Sequence, residues 1–380
     1  MYDFLKGVRV LDLTAVVLGP IATQYLGDFG ADVIKVEPPS GDILRHIRPA
    51  RSNGMGAGYL NFNRNKRSLC VDLKKDEDRA RFDALLKDAD VLVHNMRPSA
   101  AKRLGLDPDE IRKTYPALVY CVAAGYGSCG PNAEYPAYDD IIQAASGVAD
   151  LNKNQNGEPR FLPTVLCDKV GGMHLAMAML AGVAHQAKTG QGCFIEAPMF
   201  EGLVSFLMLE NLAGETYCPP LGKVGYERLQ SPNRKPFPTK DGFIGVLPYN
   251  AKHWANFLKF TGHTDLAEAD WVQNSASRSD RIGELYAVVA EVMPTRTTAE
   301  WLDILRKLDV PCTHVNSLDD LLSDPHLNQV GLFQDVQHPT EGEIRSIRSP
   351  FWVEGVEECT DAPAPNLSPI DEVISWRERA

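Results

Sequence analysis

Within its first two hundred residues the chain alternates short apolar runs with segments of helix length, and that alternation restricts the fold more than any other feature. Val8 to Leu13 reads as a buried strand, Ile21 to Phe29 as a helix entered through Gly19-Pro20, and Asp32 to Glu37 as a second strand. Leu69 to Leu73, Arg79 to Lys87, Val91 to His94 and Leu118 to Ala123 continue the pattern. Strands separated by helices pair in parallel through right-handed crossovers, which bury both faces of the sheet. The expected class is α/β: a large domain with a doubly wound, mostly parallel, Rossmann-like sheet, and a smaller α+β domain. The first turn, Thr14 to Pro20, lacks the G-x-G-x-x-G that brings pyrophosphate to a helix start, which argues against a nicotinamide or flavin dinucleotide.

The chain has 380 residues, 44% hydrophobic and 23% charged, enough for two cores. Residues 1–215 are expected to form the large domain, 216–330 a linker and the small domain, and 331–380 a segment returning to the large one. Pro219, Pro220, Pro232, Pro236 and Pro238 mark the linker, and Lys235 to Leu247 reads as a hairpin about Asp241-Gly242. Helices near Lys252 to Phe260, Asp280 to Val292 and Thr298 to Leu308 follow, with strands near Pro311 to Val315 and Ser346 to Val353. His253 and His263 have no metal-ligand spacing, and Trp254 and Trp301 read as core anchors. No apolar run approaches the roughly 20 residues of a membrane span, and Met1 to Lys6 lacks the apolar region of a signal peptide. The expectation is a cytoplasmic protein with no membrane partner.

A net charge of −11 argues against a nucleic-acid partner. Against that background Arg45, Arg48, Arg51, Arg64, Lys66, Arg67, Lys74 and Lys75 share residues 45–75 with a single acid, Asp72. A solvated face, a subunit interface and a site for a small polyanion all fit such a reversal. The eight cysteines, Cys70, Cys121, Cys129, Cys167, Cys193, Cys218, Cys312 and Cys359, form no C-x-x-C pair, so neither a metal centre nor a disulfide framework is expected.

The chemistry centres on Asp168. Pro163 to Asp168 leads into Lys169-Val170-Gly171-Gly172-Met173-His174 and a helix starting near Asp168, with a buried face of Met173, Ala176, Met177, Leu180, Ala181, Val183 and Ala184. Lys188 to Gly192 ends the helix, and Cys193 to Ala197 reads as a strand. An Asp before a helix is commonly an N-cap; ionised, it is also a nucleophile toward a thioester. Gly171 and Gly172, expected in the first turn, each cost about 1 kcal/mol of helix stability relative to Ala, so a positional reason is implied, such as amides open to an oxyanion. Cys167 reads as a small core residue ending a strand. Asn95-Met96-Arg97-Pro98 follows a strand and offers an amide and a guanidinium, with Arg103 on the next helix. Gly125 to Pro131 is a loop with approachable backbone, though Tyr126 breaks a G-x-S-x-G elbow around Ser128. Asp139 and Asp140 open a helix, where acids complement the dipole.

The ordered blocks Gly7 to Thr14 with Gly19-Pro20, Leu26 to Glu37, Asn63 to Ser68, Asp168 to His174 and Lys188 to Gly192 resemble the class III coenzyme A transferases, the family of formyl-CoA, carnitine and bile-acid CoA-transferases. The resemblance is dense over the first two hundred residues and weak beyond. It implies that Asp168 is a nucleophile forming an aspartyl anhydride and a β-aspartyl-CoA thioester. An acyl-CoA donor and a carboxylic acid acceptor would be the substrates, with coenzyme A passing between them and no metal or permanently bound cofactor. Coenzyme contacts would come from Val16, Val71, Asp72, Leu73, Lys74, Asn95, Met96, Arg97 and Arg103. Asp139, Tyr138 and Gly172 would be accessory groups, Gly172 and the Gly125 to Gly130 loop supplying oxyanion amides. The family's interlocked subunits imply a homodimer.

Two departures matter. Related 2-methylacyl-CoA racemases carry a histidine where this chain has Tyr138, a poor base near neutral pH, which favours transfer over isomerisation. Ala15, Val16, Val17 and Leu18 replace the polar first loop of oxalate transferases and favour a larger, partly apolar acyl group. A racemase and a noncatalytic CoA-binding module, with Asp168 only a cap, remain as alternatives.

Overall fold

The computed structural model describes residues 2–154, 156–356 and 361–378. Cys359 lies outside them. Residues up to Leu207, together with those from Asn328, form one compact unit, and Met208–Leu327 form a second.

The first unit is α/β. Its strands are β1 (Arg9–Leu13), β2 (Asp32–Glu37), β3 (Lys66–Cys70), β4 (Val91–His94), β5 (Val119–Val122) and β6 (Cys193–Glu196). All pair in parallel in the order β3-β2-β1-β4-β5-β6. The helices are α1 (Leu18–Asp28), α2 (Ala57–Phe62), α3 (Asp76–Leu86), α4 (Pro98–Arg103), α5 (Pro108–Thr114), α6 (Asp139–Ser146), α7 (Val148–Leu151), α8 (Leu166–Thr189) and α9 (Met199–Asn211), the last belonging to this unit as far as Leu207. Alternate strand residues feed two cores. Val10, Val33, Val91, Val93, Val119 and Cys121 face α1 and α8, while Leu11, Ile34, Leu92 and Tyr120 face α3 to α5. Each buried aliphatic side chain contributes about 1.5–3 kcal/mol, and the period of two sorts them between the faces.

The second unit contains an antiparallel sheet of β7 (Phe237–Pro238), β8 (Phe243–Val246) and β9 (Cys312–His314). Helices including Ala251–Phe260, Ile282–Val292 and Thr298–Lys307 enclose Trp254, Phe257, Tyr286 and Trp301 in its core. Back in the first unit, β10 (Phe333–His338) and β11 (Gly342–Ile347) form a hairpin where a strand over Ser346 to Val353 was expected. The helix start, buried face and span readings around Asp168 also need correction. Helix α8 begins at Leu166 with Val165 as N-cap, so Cys167 is a buried helical residue and ends no strand. Its buried face is Val170, Gly171, Leu175, Ala176, Met179, Gly182 and Val183; Met173 and Met177 are 44% and 57% exposed. By length and composition α8 is the one helix among the described residues apolar enough to cross a membrane, although half of the relevant window is buried within the protein.

Burial also explains half of the basic stretch at 45–75: Arg45, Arg64, Lys66 and Arg67 are paired with acids, whereas Arg48, Arg51, Lys74 and Lys75 are exposed. Arg45 forks onto Glu37 with both contacts at 2.7 Å, Arg64 pairs with Asp28, and Arg67 Nε donates to Asp32 at 2.9 Å. Lys66 Nζ lies 3.0 Å from Asp12, both side chains being fully buried. Burial works against ionising Asp12, yet Lys66 and Lys35 outweigh it and lower its pKa to about 2. Burial brings Lys66 down to about 8 against the pull of Asp12. Both groups are charged near neutral pH.

Candidate active site

The strand order reverses between β1 and β4, and in open α/β sheets the crevice beyond such a switch point receives ligands. A cavity of about 210 Å³ opens there. The segment after β1 lines it with Ala15, Val16 and Leu18, the segment after β4 with Asn95, Met96, Arg97 and Pro98, and the segment after β5 with Ala123, Ala124 and Gly125. Ala133, Tyr135 to Tyr138, Met199 and Asp168 complete the wall.

Asp168 sits in the first turn of α8, half-buried. It is not the cap: among the described residues no donor reaches its carboxylate, and its own backbone N–H is the group that needs capping. Asp139 supplies that acceptor, Oδ1 lying 3.0 Å from Asp168 N. The other Asp139 oxygen accepts from Gln143 Nε2 at 2.6 Å, and Gln143 Oε1 accepts from Leu162 N at 2.8 Å, which ties the segment before α8 to α6. Burial pushes the Asp168 carboxyl up to about 7, with the neighbouring Asp139 carboxylate adding to the rise. Burial likewise lifts the Cys167 thiol to about 12, so the adjacent sulfur stays protonated and inert.

Of the residues singled out from sequence, Val16, Asn95, Met96, Arg97, Tyr138 and Asp168 meet at this cavity. Asn95 is engaged with the protein itself: its Oδ1 accepts from Ala15 N at 3.1 Å and its Nδ2 donates to Ala15 O at 2.8 Å. Arg97 is exposed, and Tyr138, the N-cap of α6, is 67% exposed. Val71, Asp72, Leu73 and Lys74 follow β3, outside the cavity lining, where Asp72 N is held by Asp78 at 2.8 Å. Arg103 is exposed at the end of α4. Gly172 lies in the second turn of α8, where a helical N–H is already paired four residues back. A Cβ there would come within 2.2 Å of Ile21 Cγ2 and 2.7 Å of the Leu18 carbonyl, so the positional reason for this glycine is the close approach of α1. In the Gly125 to Gly130 loop, Gly127 N and Ser128 N are held by Glu201 and Glu196, each at 2.9 Å, and only Gly125 lines the cavity. Leu18, read from sequence as part of the apolar first loop, lines the cavity, whereas sequence reasoning passed over Tyr135 and Met199; the rule that loops after parallel strands build the crevice points to the second of these.

A crevice walled by apolar and polar side chains together, and holding one uncapped carboxylate of raised pKa, defines a site suited to acyl-group chemistry. A profile of CoA-transferase family III matches residues 5–368. Human succinyl-CoA:glutarate CoA-transferase is 31% identical, over 99% of this chain and 87% of its own length. A probable fatty acyl-CoA transferase of Mycobacterium tuberculosis is 33% identical over 98% of each chain, and its crystal structure superposes with a TM-score of 0.82 at 29% identity, covering 96% of both. Formyl-CoA:oxalate CoA-transferase of Escherichia coli O157:H7 is 28% identical over 91% of this chain and 89% of its own. The chain belongs to CoA-transferase family III and is an enzyme of that class. Thioesters of coenzyme A are the substrates of this family, and among the described residues no cluster of metal-ligating side chains occurs.

Proposed function

We propose that this enzyme moves coenzyme A from an acyl-CoA donor to a carboxylic acid acceptor through covalent intermediates on Asp168. The observation that carries this reading is the uncapped Asp168 carboxylate facing the switch-point cavity, with its pKa lifted to about 7 by burial and by Asp139. A carboxylate of raised basicity, half ionised near neutrality, is a better nucleophile than an ordinary aspartate and a poorer leaving group.

The Asp168 oxygen attacks the thioester carbonyl; the carbon–sulfur bond breaks, leaving a mixed anhydride and CoA thiolate. The thiolate attacks the aspartyl carbonyl and expels the donor carboxylate, giving a β-aspartyl-CoA thioester. The acceptor carboxylate attacks that thioester, and the released thiolate cleaves the new anhydride to form the product thioester and free Asp168. Holding the reactants in place lowers the barrier by up to roughly 7–11 kcal/mol. Arg97, exposed at the rim, is suited to the phosphates of the carrier. Val16, Leu18, Met96 and Met199 suit a partly apolar acyl group better than oxalate. The exposed Met173 and Met177 of α8 and Phe206 of α9 support a homodimer that covers them.

Mass spectrometry after incubation with acetyl-, butyryl-, octanoyl- and succinyl-CoA tests the mechanism. A hydroxylamine-sensitive adduct on the Asp168 peptide is expected, and Asp168→Ala should lose at least ~10³-fold in transfer. Transfer at the wild-type rate by that variant would end the proposal. Exchange of deuterium at the substrate α-carbon without CoA transfer would favour a racemase, which Tyr138 at the site disfavours.

A further inference from the structure

Val16 adopts φ +70°, the left-handed region. Four non-glycine residues do so among those described, Val16, Asn65, Ala213 and Asp309, and Val16 alone is β-branched. A branched Cβ is ill-suited to this conformation and persists there only when its surroundings hold it. The strained residue is also part of the cavity wall that includes Asp168.

What holds it is a buried charged group outside the cavity lining. Both carboxylate oxygens of Asp42 lie 3.2 Å from Val16 N. Asp42 is buried and is itself fixed from three sides. Its Oδ2 meets Lys35 Nζ at 3.0 Å, its Oδ1 accepts from Leu44 N at 3.0 Å, and its backbone N–H donates to Glu37 at 2.9 Å. The same Lys35 Nζ donates to the Thr14 carbonyl at 2.8 Å, so one ammonium braces the start of the loop and the carboxylate that grips its middle. Asn95 clamps Ala15 between them. Placing two charges in the core for a main-chain contact is expensive unless the geometry they impose is needed.

We infer that Asp42, braced by Lys35, is a positioning residue: it pins Val16 in the left-handed conformation and thereby sets the wall against which the acyl group is aligned for Asp168. It acts through the Val16 backbone and touches no substrate. This inference rests on Asp168 being the nucleophile, and the experiment separates the two.

Steady-state transfer is measured for wild type, Asp168→Ala, Asp42→Asn, Val16→Gly and the double variant Val16→Gly/Asp42→Asn, using whichever of acetyl-, butyryl-, octanoyl- or succinyl-CoA the wild type turns over fastest. Activity surviving in Asp168→Ala would defeat the mechanism. With that variant inactive, Asp42→Asn in the Val16 background is expected to lose at least about tenfold in kcat per folded molecule, since small misplacements of a reacting group are costly. With glycine at 16 the left-handed conformation needs no enforcement, and the same change should cost less than about twofold. Equal losses in both backgrounds, or a loss confined to the folded fraction with kcat and KM unchanged, overturn the inference. Should Asp42→Asn not fold, Val16→Gly decides, because it leaves Asp42 and Lys35 intact. Its thermal midpoint is expected to lie above that of Val16→Ala, which loses the same side-chain contacts but keeps the left-handed strain, and a midpoint below that of Val16→Ala contradicts the role assigned to Asp42.

Discussion

Asp139 caps the helix that carries Asp168: its Oδ1 accepts the Asp168 backbone N–H at 3.0 Å, and its charge helps to lift the Asp168 carboxyl to about 7. One buried acid thus fixes the place of another and adds to the rise that burial gives its pKa.

The pH–rate profile should report this. The proposed mechanism requires ionised Asp168, so kcat/KM is expected to rise with pH through about 7 and to level above it. Asp139→Asn keeps an oxygen for the Asp168 N–H and removes the charge, so the rising limb should move to lower pH. An unmoved limb would show that Asp139 has no electrostatic hold on the nucleophile.

Stability should change in the opposite sense. Folded Asp168 keeps its proton up to about pH 7, whereas the unfolded chain releases it near ~3.9. Between those values the folded state binds more protons, and stability contributed by this group is lost as pH rises. Asp168→Asn is therefore expected to raise the thermal midpoint more at pH 8 than at pH 4, at the expense of activity. Calorimetry at both pH values checks the sign.

Gly172→Ala introduces a methyl group 2.2 Å from Ile21 Cγ2 and 2.7 Å from the Leu18 carbonyl, and the backbone atom cannot yield as a side chain would. Displacing α8 from α1 should cost about 1–3 kcal/mol, read from urea unfolding. Transfer should fall as well, because α8 carries Asp168 in its first turn.

Lys66→Met leaves the Asp12 carboxylate buried with a weaker set of partners, and a loss of about 3–5 kcal/mol is expected. Adding Asp12→Asn should recover a large part of it. A double-mutant cycle with additive losses would show that the two charges are not coupled.

The sheet was legible where β-branched residues cluster within a strand. Asp32–Glu37 and Val91–His94 have the expected limits, since β-branched residues there admit little else. Strand β3 begins three residues before its expected start, because Lys66 and Arg67 are polar and their partners Asp12 and Asp32 are distant in sequence. The α8 face was misread for a related reason: Gly171 and Gly182 are buried yet carry no hydrophobic signal, while Met173 and Met177 carry one and are exposed. At the site, the block around Asp168 stood out as a run. From its own surroundings Asp139 reads as an ordinary first-turn acid, because its contact with Asp168 spans 29 residues; the family resemblance alone pointed to it as an accessory group. Nothing in the local sequence marks Val16 as left-handed or Asp42 as its anchor.

The sheet order that creates the crevice is also that of dinucleotide enzymes, but the rim after β1 is Ala15, Val16 and Leu18 instead of a glycine cradle. The glycine turn that seats a diphosphate in those enzymes is absent from the mouth of α1. In the mechanism proposed above, the carrier's charged head stays at the periphery while its sulfur end takes the central berth, and scaffolding that elsewhere grips a redox ring serves to break and remake a thioester bond.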